Sequence, residues 1–297
     1  MSQESIPPPL FTGIGTALIT PFSDGVPDLP ALRQLVRAQI DAGVAALVVA
    51  GTTGEAPTLS EKERATLLDT VLCEVAGRIP VIMGTGSNDT RTAVHHVKEA
   101  ARIGADATLA VTPYYNKGTQ AGIVAHYLQM ADATDLPLFL YNVPTRTGVD
   151  LTLPLLEQLT EHPRILAIKE ASGRIDRVAD IRARFGDRLP VYSGNDGDLL
   201  PTLALGGIGV ISVLSNLLPQ ECVALYHAFT EGRVQEAAAH AVALTPLCRL
   251  LFTETNPAPI KSAMADCGLC RDELRLPMTA ASPALRAALQ AELARFR

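Results

Sequence analysis

The chain has 297 residues, 47% of them hydrophobic and 19% charged, with a net charge of −6. This length suits one large barrel or two ordinary domains, and the composition supports a sizeable buried core rather than disorder. No Lys/Arg cluster offers a nucleic-acid footprint, and no apolar stretch is long enough to span a bilayer. Residues 1–9 lack the basic and apolar regions of a secretory signal, so a disordered lead-in over 1–12 and a cytoplasmic location are expected.

In chain order, short apolar runs at 15–20, 45–50, 81–84, 107–112, 137–142, 165–169, 191–194 and 208–213 read as strands. They are β-branched and nearly continuous in apolar character, the pattern of strands buried on both faces of a parallel sheet. Helical stretches lie between them, among them 29–42, 61–76, 90–103 and 120–133. The first opens at Asp28 with Pro30 close behind, and the second at Ser60 with Glu63 three residues on, a capping box. Strand–helix units repeated eight times predict an α/β fold, a (β/α)₈ barrel. A doubly wound open sheet is disfavoured because the first strand runs into Pro21-Phe22-Ser23-Asp24-Gly25, with no G-x-G-x-x-G. Further helices at 219–230, 234–251, 257–266 and 283–296 predict a helical C-terminal extension. The expected organisation is a lead-in over 1–12, a barrel over 13–230 and an extension over 231–297.

Five cysteines, an odd number, argue against a disulfide framework. Cys267-Gly-Leu-Cys270 closes a helical stretch instead of opening one and has no second ligand pair, so neither redox chemistry nor zinc is expected there. His95 and His96 fall inside the third helix, on different faces, and read as surface residues unsuited to a shared metal. No cofactor or metal is expected.

Active sites of parallel barrels sit at the C-terminal strand ends. Those ends carry Thr16, Gly51-Thr52-Thr53-Gly54-Glu55, Thr85, Thr112-Pro-Tyr114-Tyr115-Asn116, Tyr141-Asn142-Val-Pro-Thr-Arg146, Lys169-Glu170, Ser193-Gly194-Asn195 and Ser212. Only five lysines occur (62, 98, 117, 169, 261), and Lys169 alone directly ends a strand-like run. A lysine there either escapes to solvent, pairs with Glu170, or stays buried and uncharged. The uncharged amine is what a Schiff base with a ketone requires. Bringing its pKa from 10.4 to near 7 costs roughly 4 to 5 kcal/mol, within reach of burial beside Arg146. The 51–55 stretch is no phosphate loop, since no Gly-Lys-Ser/Thr follows, but its glycines let backbone N–H groups turn inward toward a carboxylate.

These residues resemble the dihydrodipicolinate synthase family, within the pyruvate-dependent class I aldolases that include N-acetylneuraminate lyase. The resemblance runs from Gly13 to about Ser282. It is carried by Gly51-Thr-Thr-Gly-Glu, Pro113-Tyr-Tyr-Asn-Lys, Tyr141-Asn-Val-Pro-Thr-Arg-Thr-Gly, Ile168-Lys-Glu-Ala-Ser-Gly, Gly206-Gly-Ile-Gly-Val-Ile-Ser, Asn256-Pro-Ala-Pro-Ile-Lys and Leu274-Arg-Leu-Pro-Met-Thr. It implies that Lys169 attacks C2 of pyruvate and that Tyr141 shuttles protons in a hydroxyl relay with Thr52 and Tyr115. It further implies that Tyr115 reaches into a neighbouring subunit of a homotetramer. Thr53 would hold the pyruvate carboxylate, with backbone groups of Gly194 and Ile211 lining the pocket. Arg146 would bind the carboxylate of L-aspartate 4-semialdehyde. Arg146 and the paired threonines favour the synthase branch over a pyruvate-dependent aldolase or lyase acting on a sugar acid or hydroxy-oxo acid, and an intact residue set argues against a catalytically dead metabolite-binding barrel. Gly118 and Asn195 depart from the family pattern. Leu59-Ser-Glu61-Lys-Glu-Arg64 without histidine, and Thr92 in place of a glutamate, imply weak or absent inhibition by lysine.

Overall fold

The computed structural model describes residues 8–296, so residues 1–7 of the expected lead-in lie outside the described residues. Eight parallel strands close into a barrel: β1 (Gly13–Ala17), β2 (Ala46–Val49), β3 (Val81–Gly84), β4 (Ala107–Val111), β5 (Leu138–Asn142), β6 (Ile165–Glu170), β7 (Val191–Ser193) and β8 (Gly209–Ser212). Each pairs with its neighbour in sequence, and β8 closes on β1 with Gly13 opposite Gly209 and Thr16 opposite Ser212. Outside them run helices α1 (Leu29–Asp41), α2 (Glu61–Val75), α3 (Thr90–Ile103), α4 (Gln120–Ala131), α5 (Pro144–Thr147), α6 (Leu153–Thr160), α7 (Ile175–Phe185), α8 (Leu199–Ala204) and α9 (Pro219–Thr230). The extension adds α10 (Val234–Leu250), α11 (Ala258–Asp266) and α12 (Pro283–Leu293).

Local chemistry sets the element ends. Asp28 accepts from the Ala31 N–H to start α1, and Ser60 and Glu63 form the reciprocal capping box of α2. The first strand begins and ends earlier than the apolar run suggested. After Ala17 the backbone leaves the ladder, with Ile19 N–H donating to Asn216 Oδ1 at 3.1 Å. Leu18 and Ile19 are buried there as loop residues. Behind them a two-residue hairpin, 22–23 against 26–27, turns at Asp24-Gly25, both at positive φ.

The core has two shells, separated by the alternation of side chains along the strands, which in β6 shifts by one residue at an irregularity between Ile165 and Ala167. Leu138, Leu140, Ile165 and Ile168 point outward to the helices. Phe139, Tyr141 and Ala167 point inward and join Ile82, Leu109, Tyr192 and Ile211 in the barrel interior. Phe11 stacks on Tyr192 at 4.4 Å.

Candidate active site

The same alternation aims the reactive groups. Tyr141 lies opposite Lys169 in the β5–β6 register, and both side chains face inward. Their neighbours Asn142 and Glu170 face outward, where Asn142 Nδ2 donates to Glu170 at 2.9 Å and Arg177 Nε donates to Glu170 at 2.8 Å. Glu170 is therefore spoken for by Arg177, and the pairing of Lys169 with Glu170 does not occur. Lys169 is only 5% exposed, with Nζ 4.4 Å from the centre of the Tyr141 ring. Burial lowers its pKa from 10.5 to about 8; the Asp196 carboxylate opposes the fall and the Arg146 guanidinium adds to it. Burial raises the pKa of the Tyr141 phenol, while Arg146 and a hydrogen bond with the Thr52 hydroxyl draw it back.

A cleft of about 450 Å³ opens above this pair, with Thr52, Thr53, Tyr141, Arg146 and Lys169 in its wall. The loop 51–55 enters and leaves through left-handed residues, Ala50 at φ +49° and Glu55 at φ +56°. Such conformations persist where surrounding structure over-determines them. At one end Gly84 leaves the space the loop needs, since a Cβ there would lie 2.3 Å from the Ala50 carbonyl oxygen. At the other, Glu55 is held by the buried Lys261 ammonium at 2.6 Å and by the Arg275 N–H at 3.0 Å. Arg146 sits on α5, the short helix that follows β5, and its Nη2 donates to the Asn256 carbonyl at 3.0 Å.

The structure distributes the remaining expected residues differently. Gly194 abuts Lys169: a Cβ there would lie 3.0 Å from Lys169 Cε and 2.5 Å from the Ala171 Cβ, so only glycine fits. Its N–H is committed to the Glu170 carbonyl at 2.7 Å. Ile211 is fully buried inside the barrel, and neither residue forms part of the cleft wall. Tyr115 is 88% exposed, held at φ +70°, and lies away from this cleft, whereas Tyr114 lines it. Of the hydroxyl-rich ring, Thr16 turns outward to Gln39 and Ser215, at 2.6 and 2.8 Å, and Ser193 closes a turn on Asn195.

Two site residues escaped sequence reasoning. Asp196 is half-buried, accepts from Ser212 Oγ and from the Val213 and Leu214 N–H groups at 3.0 Å, and supplies the negative field on Lys169. Its neighbour Asn195, the departure noted above, bonds to Asp198 instead. Asn256 donates from Nδ2 to Thr53 Oγ1 at 2.9 Å, bringing the extension into the site. Asn256 lay inside the quoted Asn256-Pro-Ala-Pro-Ile-Lys and Asp196 one residue beyond Ser193-Gly194-Asn195, and nothing in the motif chemistry distinguished either. His96 also differs from expectation. It is half-buried beside Arg64 in the outer part of the cleft, and burial lowers its pKa to about 4. Among the described residues no group of His, Cys, Asp and Glu is arranged to hold a metal ion.

The model of the dihydrodipicolinate synthetase family matches residues 10–295. The chain belongs to that family. It is 44% identical over 280 residues to the 4-hydroxy-tetrahydrodipicolinate synthase of Pelobacter propionicus, covering 94% of this chain and 97% of that one. It is 46% identical over 276 residues to the 4-hydroxy-tetrahydrodipicolinate synthase of Exiguobacterium sibiricum, covering 93% and 94%. Its structure is similar to the chloride-inhibited dihydrodipicolinate synthase of Acinetobacter baumannii complexed with pyruvate, with a TM-score of 0.93 at 39% identity over 95% and 98% of the two chains. The closed barrel is therefore the fold this chain shares with its relatives.

Proposed function

We propose that this barrel condenses pyruvate with L-aspartate 4-semialdehyde on Lys169, in the 4-hydroxy-tetrahydrodipicolinate synthase reaction of lysine biosynthesis. The observation that carries the reading is a buried amine, with its pKa near 8, facing a buried phenol across one strand pair. At pH 7.5 such an amine is uncharged in about one molecule in four, against about one in a thousand at 10.5. Lys169 Nζ adds to C2 of pyruvate, Tyr141 passes a proton to the departing hydroxyl, and water leaves to give the iminium. Loss of a C3 proton gives the enamine, which attacks the aldehyde carbon, and the new alkoxide takes a proton from the hydroxyl chain. The amine of the second substrate then displaces Lys169 from C2, closing the ring and freeing the enzyme.

Thr52 is the relay partner of Tyr141, and Thr53 offers a hydroxyl to the pyruvate carboxylate. Arg146 presents a planar fork to the second carboxylate, where a lysine would be a point charge. Gly194 contributes by letting the Lys169 stem pass, and Ile211 by filling the barrel beneath. The exposure of Tyr115 supports a relay completed between subunits of a homotetramer, which equilibrium sedimentation tests. Among the described residues no helix is long and apolar enough to cross a membrane. The outer cleft places the Arg64 guanidinium, donating to the Gly84 carbonyl, beside Thr92 and Tyr114. A cation there disfavours a second cation, which supports weak or absent inhibition by lysine; half-inhibition at sub-millimolar lysine counts against it.

The deciding experiment is turnover with pyruvate and L-aspartate 4-semialdehyde, read through a coupled reductase, beside borohydride trapping of pyruvate. Cyclic product together with added mass on Lys169 is expected. Trapping without product moves the enzyme to the sugar-acid aldolase branch, and failure of both refutes the Schiff-base reading.

A further inference from the structure

We propose that Asn256, in the turn ahead of α11, is a positioning residue that sets the direction of the Thr53 hydroxyl proton and so the hold on pyruvate. The proposal rests on the reading of Thr53 as the ligand of the pyruvate carboxylate. Asn256 belongs to the C-terminal extension, 203 residues from Thr53 along the chain, and is 4% exposed. Its side-chain Nδ2 only donates, so at 2.9 Å it forces Thr53 Oγ1 to act as acceptor in that bond. A hydroxyl has one proton, and with its acceptor side occupied that proton is left to be donated elsewhere. A carboxylate only accepts, so the arrangement presents Thr53 in the one polarity the substrate can use. An unconstrained hydroxyl would rotate among several orientations and lose that bias.

A second observation separates this from a packing role. Asn256 Oδ1 is buried without a hydrogen-bond partner. Buried polar atoms are rarely left so, and an apolar side chain in this turn would avoid the penalty. The amide is kept for what its other end does. Asn256 also meets the opposite arm of the site through its main chain, accepting from Arg146 Nη2 at 3.0 Å. One residue thus steadies both substrate-binding arms by separable means, the side chain for Thr53 and the backbone carbonyl for Arg146. Replacing the side chain disturbs the first and spares the second.

The test uses steady-state kinetics of the full chain with Asn256→Ala, Asn256→Asp, Thr53→Val and the double variant Asn256→Ala with Thr53→Val. Thr53→Val is expected to raise KM for pyruvate, and its failure to do so overturns the proposal by removing the reading beneath it. Asn256→Ala is expected to raise KM for pyruvate about 2- to 10-fold, the range of one net hydrogen bond, with KM for the semialdehyde within twofold of wild type. Asn256→Asp, nearly isosteric and so available if the alanine variant does not fold, offers only acceptors. It draws the Thr53 proton away from substrate, adds a negative charge, and is expected to raise KM for pyruvate more than alanine does. On the Thr53→Val background Asn256→Ala is expected to add nothing. Multiplying effects, an equal rise for both substrates, or a pyruvate KM unchanged in Asn256→Ala while Thr53→Val raises it would each overturn the proposal and leave the Thr53 reading in place.

Discussion

Lys169→Met should make the protein more stable while abolishing its chemistry, and the size of the gain follows from the burial of the amine. Folded Lys169 gives up its proton near pH 8, the unfolded chain near 10.5. The unfolded state therefore binds more protons between those values, and stability rises with pH across that window. Well below pH 8 the folded protein carries the whole penalty of a buried charge, which for a fall from 10.5 to about 8 is about 3 kcal/mol. Methionine matches the lysine stem in length and needs no proton, so at pH 7 the variant should gain about 3 kcal/mol, or about 6 °C in melting temperature for a chain of this size. At pH 10 most of the wild-type penalty has been lifted, and the gain should shrink to about 1 kcal/mol. Differential scanning calorimetry at both pH values measures it, and borohydride with pyruvate confirms the chemical loss. A variant that melts at or below wild type at pH 7, or whose advantage persists undiminished at pH 10, refutes the account of a charge-penalised amine.

Tyr115→Phe keeps the ring and removes only the hydroxyl, so it should leave the fold intact and cut turnover by about 100-fold or more, the usual worth of positioned proton transfer. Wild-type turnover in that variant removes Tyr115 from the relay. Lys261→Met leaves the Glu55 carboxylate buried and unpaired and should cost about 3 to 5 kcal/mol in urea unfolding, with Glu55→Gln in the same chain recovering most of it. Equal losses in the single and double variants would mean that the ion pair is not what holds the loop. His126 is buried beside Tyr127 and shares a hydrogen bond with Thr90 at 3.0 Å; burial lowers its pKa to about 4, with Asp89 opposing. The unfolded chain then binds more protons than the folded one between pH 6.5 and 4, so stability falls as the pH drops through that window, by up to about 3 kcal/mol. His126→Gln should flatten the slope of stability against pH there, and an unchanged slope refutes the assignment.

The fold was legible because its signals are local and repeated. A parallel barrel buries both faces of every strand, so each strand announces itself as an apolar run, and all eight runs became strands. The caps at Asp28 and Ser60 were equally plain, since each uses side chains within three residues. The first strand was carried too far at its C-terminal end because Leu18 and Ile19 are as apolar as strand residues, yet the Ile19 N–H is claimed by Asn216, a partner 197 residues away. The candidate site divides the same way. Lys169 and Tyr141 could be placed by their position at the C-terminal strand ends once the strands were known. Asp196 and Asn256 could not, because what they do depends on the loop after β8 and on Thr53, neither near in sequence. Tyr115 is the converse case: its motif is conspicuous, but within one chain it faces solvent apart from the cleft, and the role proposed for it draws on a second subunit.

The two buried lysines show how little residue type decides by itself. Lys169 and Lys261 are both removed from water, both lie over an aromatic ring at 4.4 and 4.2 Å, and burial lowers the pKa of each. Lys261 has a carboxylate at 2.6 Å and the Glu273 carbonyl at 2.7 Å, so its protons are hydrogen-bonded and its charge is answered. It serves to hold a strained loop. Around Lys169 the nearest field from a carboxylate is that of Asp196, whose oxygens are taken by Ser212, Val213 and Leu214, and the guanidinium of Arg146 opposes a positive charge. Its amine is left near the balance between charged and neutral, where a nucleophile at neutral pH has to be. In the proposed mechanism the Lys261–Glu55 pair also serves Lys169, since Glu55 ends the loop that carries Thr52 to the Tyr141 hydroxyl. The ion pair that joins the extension to the loop and the destabilised amine in the barrel thus belong together in the proposed mechanism, the first holding in place the relay on which the second would draw.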